Sequence, residues 1–257
     1  MSEAEEAIKQ RLAGRPKLRV GQSAEFCPGC HYGIIIRVLC EVIEELGIVG
    51  RTIAVGGASC AGAYGLFIEG LDFMGGLHGR ASAIGTGIKR VHPEAIVLTV
   101  QGDGDIAAIG LGDFMNALVR GEQLTTIMLN NACFGMTGGQ MAPTTLTGQR
   151  TTTTPEGRSR TMGGFPIHMA ELAASMKAVA YAARCSVHTP ANYQRAKRAV
   201  RLAFEKQMRG IGFGFVEFLS ACPSGWGLNP RPSLKFLEEQ MLAEYPLGEF
   251  KNVERIE

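Results

Sequence analysis

Gly102-Asp103-Gly104, followed one strand–helix–strand unit later by Asn130-Asn131, constrains this chain more than any other feature, because the flanking sequence fixes where those side chains point. Residues 95–100 are a short apolar, β-branched run, and residues 124–129 are another. Each half of the pair therefore sits at the C-terminal end of a strand. Between them Ile109, Phe114, Leu118 and Val119 recur at helical spacing, which predicts a crossover helix and hence parallel neighbours. Asp103 and Asn131 then meet at one sheet edge. A carboxylate, an amide oxygen and a main-chain carbonyl are hard oxygen donors suited to Mg²⁺, which completes its shell with water and phosphate oxygens.

This pattern resembles the thiamine diphosphate fold. The resemblance implies that Asp103, Asn131 and the main-chain oxygen of Cys133 hold Mg²⁺ against the cofactor's diphosphate.

The 257 residues, 46% hydrophobic and 19% charged, suit one α/β domain over 1–257, with an N-terminal arm and a C-terminal tail. A formal net charge of +2, with both signs dispersed, leaves no electrostatic footprint for nucleic acid. Residues 1–21 carry charge without an apolar signal core, and no run of about 18 apolar residues occurs, so we expect no membrane span and a cytoplasmic protein.

Elements follow from the periodicity. Helices are expected at 34–46, 82–91, 168–176, 190–208 and from 233 to 245, with strands at 51–55, 95–100, 124–129, 179–183 and 213–219. Residues 135–166, rich in Gly, Thr, Pro and Gln, read as a long loop of the kind that forms active sites or interfaces. Alternating strands and helices predict a mostly parallel, doubly wound sheet with ligands at the carboxyl ends of its strands.

Seven cysteines in such a chain argue for metal, redox or core roles rather than a disulfide framework. Cys27-Pro28-Gly29-Cys30 opens the first helix, a placement expected to lower thiol pKa. By itself the motif fits a redox pair, half a zinc site or half an iron–sulfur site. Cys60, after the first strand, belongs on the same edge as Asp103, and Cys222, after the last strand, can reach it; four converging thiolates suit a [4Fe-4S] cluster. Cys40 reads as a buried small hydrophobe, whereas Cys185, just beyond a strand, competes for the fourth position.

Taken in order, Cys27-Pro28-Gly29-Cys30, Ser59-Cys60, His78-Gly79-Arg80-Ala81, Gly102-Asp103-Gly104-Asp105, Asn130-Asn131 and Cys222-Pro223 resemble the thiamine-diphosphate-binding β subunit of 2-oxoacid:ferredoxin oxidoreductases. The resemblance implies cluster ligands Cys27, Cys30, Cys60 and Cys222. It also implies thiamine contacts at Ala58, Ser59, Cys60, Ala61, His78, Gly79, Arg80, Ala81, Gly104, Asp105, Gly135 and Met136. The implied activity is CoA-dependent oxidative decarboxylation of a 2-oxoacid, with electrons passed to ferredoxin. The implied partners are an α subunit carrying the pyrimidine-binding domain and the activating glutamate, a ferredoxin-like subunit and a γ subunit. No catalytic acid is assigned here, because Glu41, Glu44, Glu45 and Glu171 read as solvated helix faces. Trp226 suits either a subunit contact or the core.

Thr137 and Gly138 are the expected substrate-pocket residues. Some relatives specialised for dicarboxylates carry lysine where this chain has Gly138, which tilts the expectation toward a branched-chain substrate, 2-oxoisovalerate, over 2-oxoglutarate. Two other readings stand beside this one: a non-redox thiamine decarboxylase or synthase without a cluster, and a thiol or zinc scaffold in which Gly102-Asp103-Gly104 is merely a turn.

Overall fold

The computed structural model describes residues 16–18, 26–60, 62 and 68–257. Ala61 and most of the N-terminal arm lie outside the described residues. The first helix among the described residues, α1 (Tyr32–Glu45), buries Ile35, Val38, Leu39, Val42 and Ile43. It ends where Gly47, at φ 65°, lets its own N–H reach Glu44 O and the Ile48 N–H reach Ile43 O, closing the last turn's free carbonyls.

Among the described residues seven strands form one sheet: β1 (Thr52–Gly56), β2 (Asp72–Gly75), β3 (Ile96–Gly102), β4 (Thr125–Asn130), β5 (Val179–Ser186), β6 (Phe213–Leu219) and β7 (Gly248–Asn252). Their spatial order is β2-β1-β3-β4-β6-β5-β7, and every pairing is parallel except β5 with β7. Strands β3, β4, β5 and β6 are buried throughout, as expected of a sheet covered on both faces. One face is covered by α1 and α5 (Pro190–Met208), which bury Leu39, Ile43, Val200 and Phe204 against Val216 and Phe218. The other is covered by α2 (Ala81–Val91), α3 (Leu111–Val119) and α4 (Met169–Ser175), with Phe114 tilted onto Phe215, ring centroids 5.4 Å apart.

The expected strands and helices recur within a few residues of their observed bounds, and three differences bear on the site. The expected crossover helix begins as a π-type turn, Asp105–Ile109, before α3. Strand β5 runs on to Ser186, so Cys185 lies inside it, opposite Phe218, rather than beyond its end. Strands β2 and β7 were not expected at all; both are edge strands with largely exposed side chains, so no apolar alternation announces them. Chain direction across the sheet reverses between β1 and β3, and the crevice at their carboxyl ends is where an open α/β sheet binds its ligand.

Candidate cofactor site

Asp103 leaves the end of β3 and Asn131 the end of β4. Between Asn131 and Cys133 the chain turns through Ala132, whose φ of 54° is held by unusually many bonds for a buried non-glycine residue. Its N–H donates to Asn130 Oδ1 at 3.0 Å, and its carbonyl accepts from Thr145 Oγ1 at 2.7 Å and Gln149 Nε2 at 3.1 Å. Asn130 is anchored in turn by donating to the buried Glu217 at 2.7 Å, and Trp226 Nε1 donates to Asn131 O at 2.8 Å.

This turn aims oxygens at oxygens. Asn131 Oδ1 stands 2.7 Å from the Cys133 carbonyl oxygen and 3.0 Å from Asp103 Oδ1. Acceptors at such distances repel unless a cation lies among them or the amide rotates to donate. Mg–O bonds of ~2.0–2.1 Å place adjacent oxygens of an octahedron about 2.9 Å apart, so the spacing is that of a cation shell. Turned the other way, the same amide would donate its nitrogen to the Cys133 carbonyl and to Asp103 Oδ1. Asp103 is buried, and burial pushes its carboxyl up to about 7 despite hydrogen bonds from Thr144 and from its neighbour's N–H. A cation would supply the missing compensation.

Asp105 plays a different part. Fully buried, it accepts from Gly79 N at 2.6 Å and Gln101 Nε2 at 2.8 Å and pairs with His78 Nδ1. It ties the β1, β3 and α2 ends together, and Gly57 packs so tightly that a Cβ there would lie 1.9 Å from Asp105 Oδ2. Phe134 lies over Gly104, where a Cβ would come within 2.2 Å of its ring. Ala58, Ser59, Cys60, His78, Gly104, Asp105, Gly135, Met136 and Thr137 line one narrow cleft with Asp103, Asn131 and Cys133. Gly79 borders it through its N–H. Arg80 does not face it: its guanidinium donates to Asp113 at 2.6 Å and to Ile109 O at 3.2 Å on the surface. Ala81 is buried in the first turn of α2, and Gly138, at φ 114°, stands outside the cleft in the tight turn that Thr137 and Gln140 close.

The thiols gather beside this cleft. Pro28 and Gly29, the latter at φ 81°, form a turn closed by Cys30 N–H to Cys27 O at 3.0 Å. Cys30 is close enough to Cys222, Cys60 and Cys27 to feel their charge. Cys40 packs inside α1, and Cys185 faces a separate groove beside Arg195 and Arg198, so neither joins the group. The expectation that the helix start would lower the Cys30 pKa is corrected: burial pushes that thiol up to about 12, and the Tyr32 N–H offsets only part. Burial likewise raises Cys60 to about 11. Cys222 goes the other way, to about 7, chiefly through the neighbouring Cys133 thiol. Among the described residues no three His, Cys, Asp or Glu side chains are close enough to hold a single metal ion.

Residues 62–213 match the family model of the thiamine pyrophosphate enzyme, C-terminal TPP binding domain. The ketoisovalerate oxidoreductase subunit VorA of Methanothermobacter thermautotrophicus is 40% identical over 230 residues, covering 90% of this chain and 48% of VorA. The 2-oxoglutarate synthase subunit KorB of Archaeoglobus fulgidus is 35% identical over 214 residues, covering 83% of this chain and 75% of KorB. The chain belongs to the thiamine pyrophosphate-binding subunits of the 2-oxoacid:ferredoxin oxidoreductases. It spans about half the length of VorA, at 48%. A solved 2-oxoglutarate:ferredoxin oxidoreductase from Magnetococcus marinus, 23% identical, shares the fold at a TM-score of 0.76 over 95% of this chain and 87% of that one.

Within this family site, several supporting residues carry no motif. Thr144, whose hydroxyl donates to Asp103 and whose carbonyl accepts from Tyr245 Oη at 2.7 Å, sits in the long loop 135–166. Arg158 organises that loop by donating to the carbonyls of Pro143 at 2.9 Å, Gly163 at 2.8 Å and Phe165 at 2.7 Å. Trp226 stacks on Phe236 at 4.6 Å and braces Asn131, so of its two expected roles the structure shows packing beside the site. The acidic residues expected on solvated faces are engaged: Glu41 and Glu45 pair with Lys197, Glu44 accepts from the Leu18 N–H, and Glu171 pairs with the buried Arg184. Their spacing looked solvent-facing because the partners come from distant segments.

Proposed function

We propose that this chain binds thiamine diphosphate, Mg²⁺ and a [4Fe-4S] cluster in an enzyme that oxidatively decarboxylates a 2-oxoacid to an acyl-CoA and passes electrons to ferredoxin. The observation that carries the reading is the convergence of the Asp103 carboxylate, the Asn131 amide and the Cys133 carbonyl beside the Cys222 sulfur. Asp103, Asn131 and the Cys133 carbonyl would hold Mg²⁺; Cys27, Cys30, Cys60 and Cys222 would hold the cluster. When bound, thiamine diphosphate supplies the electron sink for decarboxylation and the cluster supplies single-electron transfer. The chain's own residues orient and shield. Asp105 fixes His78 and the α2 start at the cleft, Phe134 covers Gly104, and Gly135, Met136 and Thr137 line the cleft mouth. Arg80 and Ala81 contribute through the shape of the α2 start.

The favoured substrate is a branched-chain 2-oxoacid, 2-oxoisovalerate, supported by the 40% identity to a ketoisovalerate oxidoreductase subunit against 35% to a 2-oxoglutarate synthase subunit. The alternative is 2-oxoglutarate. Among the described residues no carboxylate of the cleft is free to activate a distant aminopyrimidine, since Asp103 faces the oxygen set and Asp105 is saturated, which supports an α subunit that brings the activating glutamate. Leu77 and Met136 are exposed on the segments that form the cleft, apolar surface that such a subunit would cover. A ferredoxin-like subunit and a γ subunit complete the assembly, and residues 1–257 act as one domain in the cytoplasm, where thiols stay reduced. No helix among the described residues is long and apolar enough to cross a membrane.

Anaerobic purification followed by iron, sulfide and thiamine analysis tests the reading. Iron and sulfide with thiamine are expected. Thiamine without iron would favour a non-redox decarboxylase or synthase, and zinc without thiamine a scaffold.

A further inference from the structure

The two oxygens of Asp103 have different partners. Oδ1 accepts the Gly104 N–H at 2.9 Å and stands 3.0 Å from the Asn131 amide, whereas Oδ2 accepts the Thr144 hydroxyl. The next residue along the chain holds the other half of the site. Thr145 Oγ1 donates to the Ala132 carbonyl at 2.7 Å, midway between Asn131 and Cys133 in the chain, and accepts the Ala142 N–H at 2.9 Å. Both threonines are buried, so no bulk water competes for these bonds. Their own carbonyls are pinned as well, that of Thr144 by Tyr245 Oη at 2.7 Å and that of Thr145 by the Arg158 guanidinium. Consecutive Cα atoms lie about 3.8 Å apart across a trans peptide, so two adjacent hydroxyls tie the end of β3 to the turn after β4 at a set spacing.

We propose that Thr144 and Thr145 are positioning residues that make the site selective for Mg²⁺ over Ca²⁺, by holding Asp103 to one coordinating oxygen and fixing its distance from Asn131 and Cys133. This rests on the function proposed above. Mg²⁺ demands a near-octahedral shell with bonds of ~2.0–2.1 Å, whereas Ca²⁺ takes ~6–8 oxygens at ~2.3–2.6 Å in a flexible shell that admits bidentate carboxylates. Because Thr144 engages Oδ2, Oδ1 is the carboxylate oxygen left to face the cation. Without that hydroxyl, Oδ2 would be a buried acceptor lacking its partner, free to turn toward the cation beside Oδ1. The wider shell of Ca²⁺ tolerates a second carboxylate oxygen and a looser spacing; that of Mg²⁺ does not.

The test strips the anaerobically prepared complex of cofactor and divalent cation, then dialyses it against a fixed concentration of thiamine diphosphate with graded Mg²⁺ or Ca²⁺. Cofactor uptake is read rather than turnover, and the concentration of each cation at half-maximal uptake gives the preference. Thr144→Val deletes the hydroxyl and keeps the branched shape; Thr144→Ser keeps the hydroxyl. Thr144→Val is expected to lower the preference for Mg²⁺ over Ca²⁺ about tenfold, mainly by raising the Mg²⁺ midpoint. Thr145→Val should shift it the same way, and Thr144→Ser should stay within about twofold of wild type. Should Thr144→Val not assemble, Tyr245→Phe, which frees the Thr144 carbonyl and keeps the ring, carries the test with a smaller shift of the same sign. Midpoints that rise equally for both cations would make the threonines merely structural and overturn the inference. So would an unchanged preference, a Thr144→Ser preference as low as that of Thr144→Val, or a wild type that does not favour Mg²⁺. In each of these cases cation-dependent uptake by wild type leaves the proposed function standing. A wild-type complex that takes up no thiamine diphosphate with either cation overturns the proposed function itself and this inference with it.

Discussion

Asp103 is the one formally charged side chain in the oxygen set, and its burial is uncompensated without a cation. Asp103→Ala should therefore lose thiamine diphosphate and Mg²⁺ while keeping iron, since Asp103 holds none of the thiols; unchanged thiamine content in the purified variant would sink the assignment. Among the cysteines, Cys222→Ala should abolish the reduced-cluster signal, whereas Cys40→Ala and Cys185→Ala should keep it. The reverse pattern for Cys185 and Cys222 would show that the groove beside Arg195, not the cleft, holds the fourth ligand. Gly138 carries a cost that its sequence position hides. At φ 114° a side chain is strained, so Gly138→Lys should raise kcat/KM for 2-oxoglutarate relative to 2-oxoisovalerate while losing about 1–3 kcal/mol of stability. Equal specificity ratios in wild type and variant would remove Gly138 from the substrate argument.

At the scale of elements, the sheet's outer half is joined to the site by a buried ionic chain. Arg184 on β5 donates to Glu217 on β6 at 2.9 Å and to Glu171 on α4 at 2.9 Å, and lies over the rings of Tyr245 and Phe250. Glu217 then accepts from Asn130, at the root of the turn that carries Asn131 and Cys133. Burial alone would raise the Glu171 pKa, but the Arg184 hydrogen bonds and charge outweigh it and hold the carboxyl below its usual value of 4.5. A depressed folded-state pKa means stability that is present above the unfolded value and lost as pH falls through the folded one. Glu171→Gln should accordingly lower Tm at pH 7, and the gap from wild type should close below about pH 4.5. A gap that stays constant from pH 7 to 3.5 would show that the charge of Glu171 contributes nothing. The long loop 135–166 follows the same logic, since it is ordered by one arginine and several threonines rather than by an apolar period. Its site residue, Thr144, was for that reason invisible to a reading based on periodicity.

At the scale of the whole molecule, the site is assembled at the carboxyl ends of the sheet's strands, and the two described carboxylates of its cleft, Asp103 and Asp105, are both engaged. The chain by itself should keep iron, bind thiamine weakly and release no CO₂ from any 2-oxoacid; addition of its α partner should restore decarboxylation coupled to dye reduction. Robust turnover by the isolated chain would place the activating acid on this polypeptide. The doubly wound sheet, the strand ends bearing Asp103 and Asn131, and the conjunction of motifs that resembles one enzyme family could all be read from the chain alone. Those features rest on local physics: buried parallel strands need continuous apolar runs, and tight turns need glycine. The edge strands β2 and β7, the engagement of Arg80 with Asp113 and the burial that raises Cys30 were decided only by the fold. Each depends on a contact between segments far apart in sequence, where burial and a partner's charge outweigh any local preference.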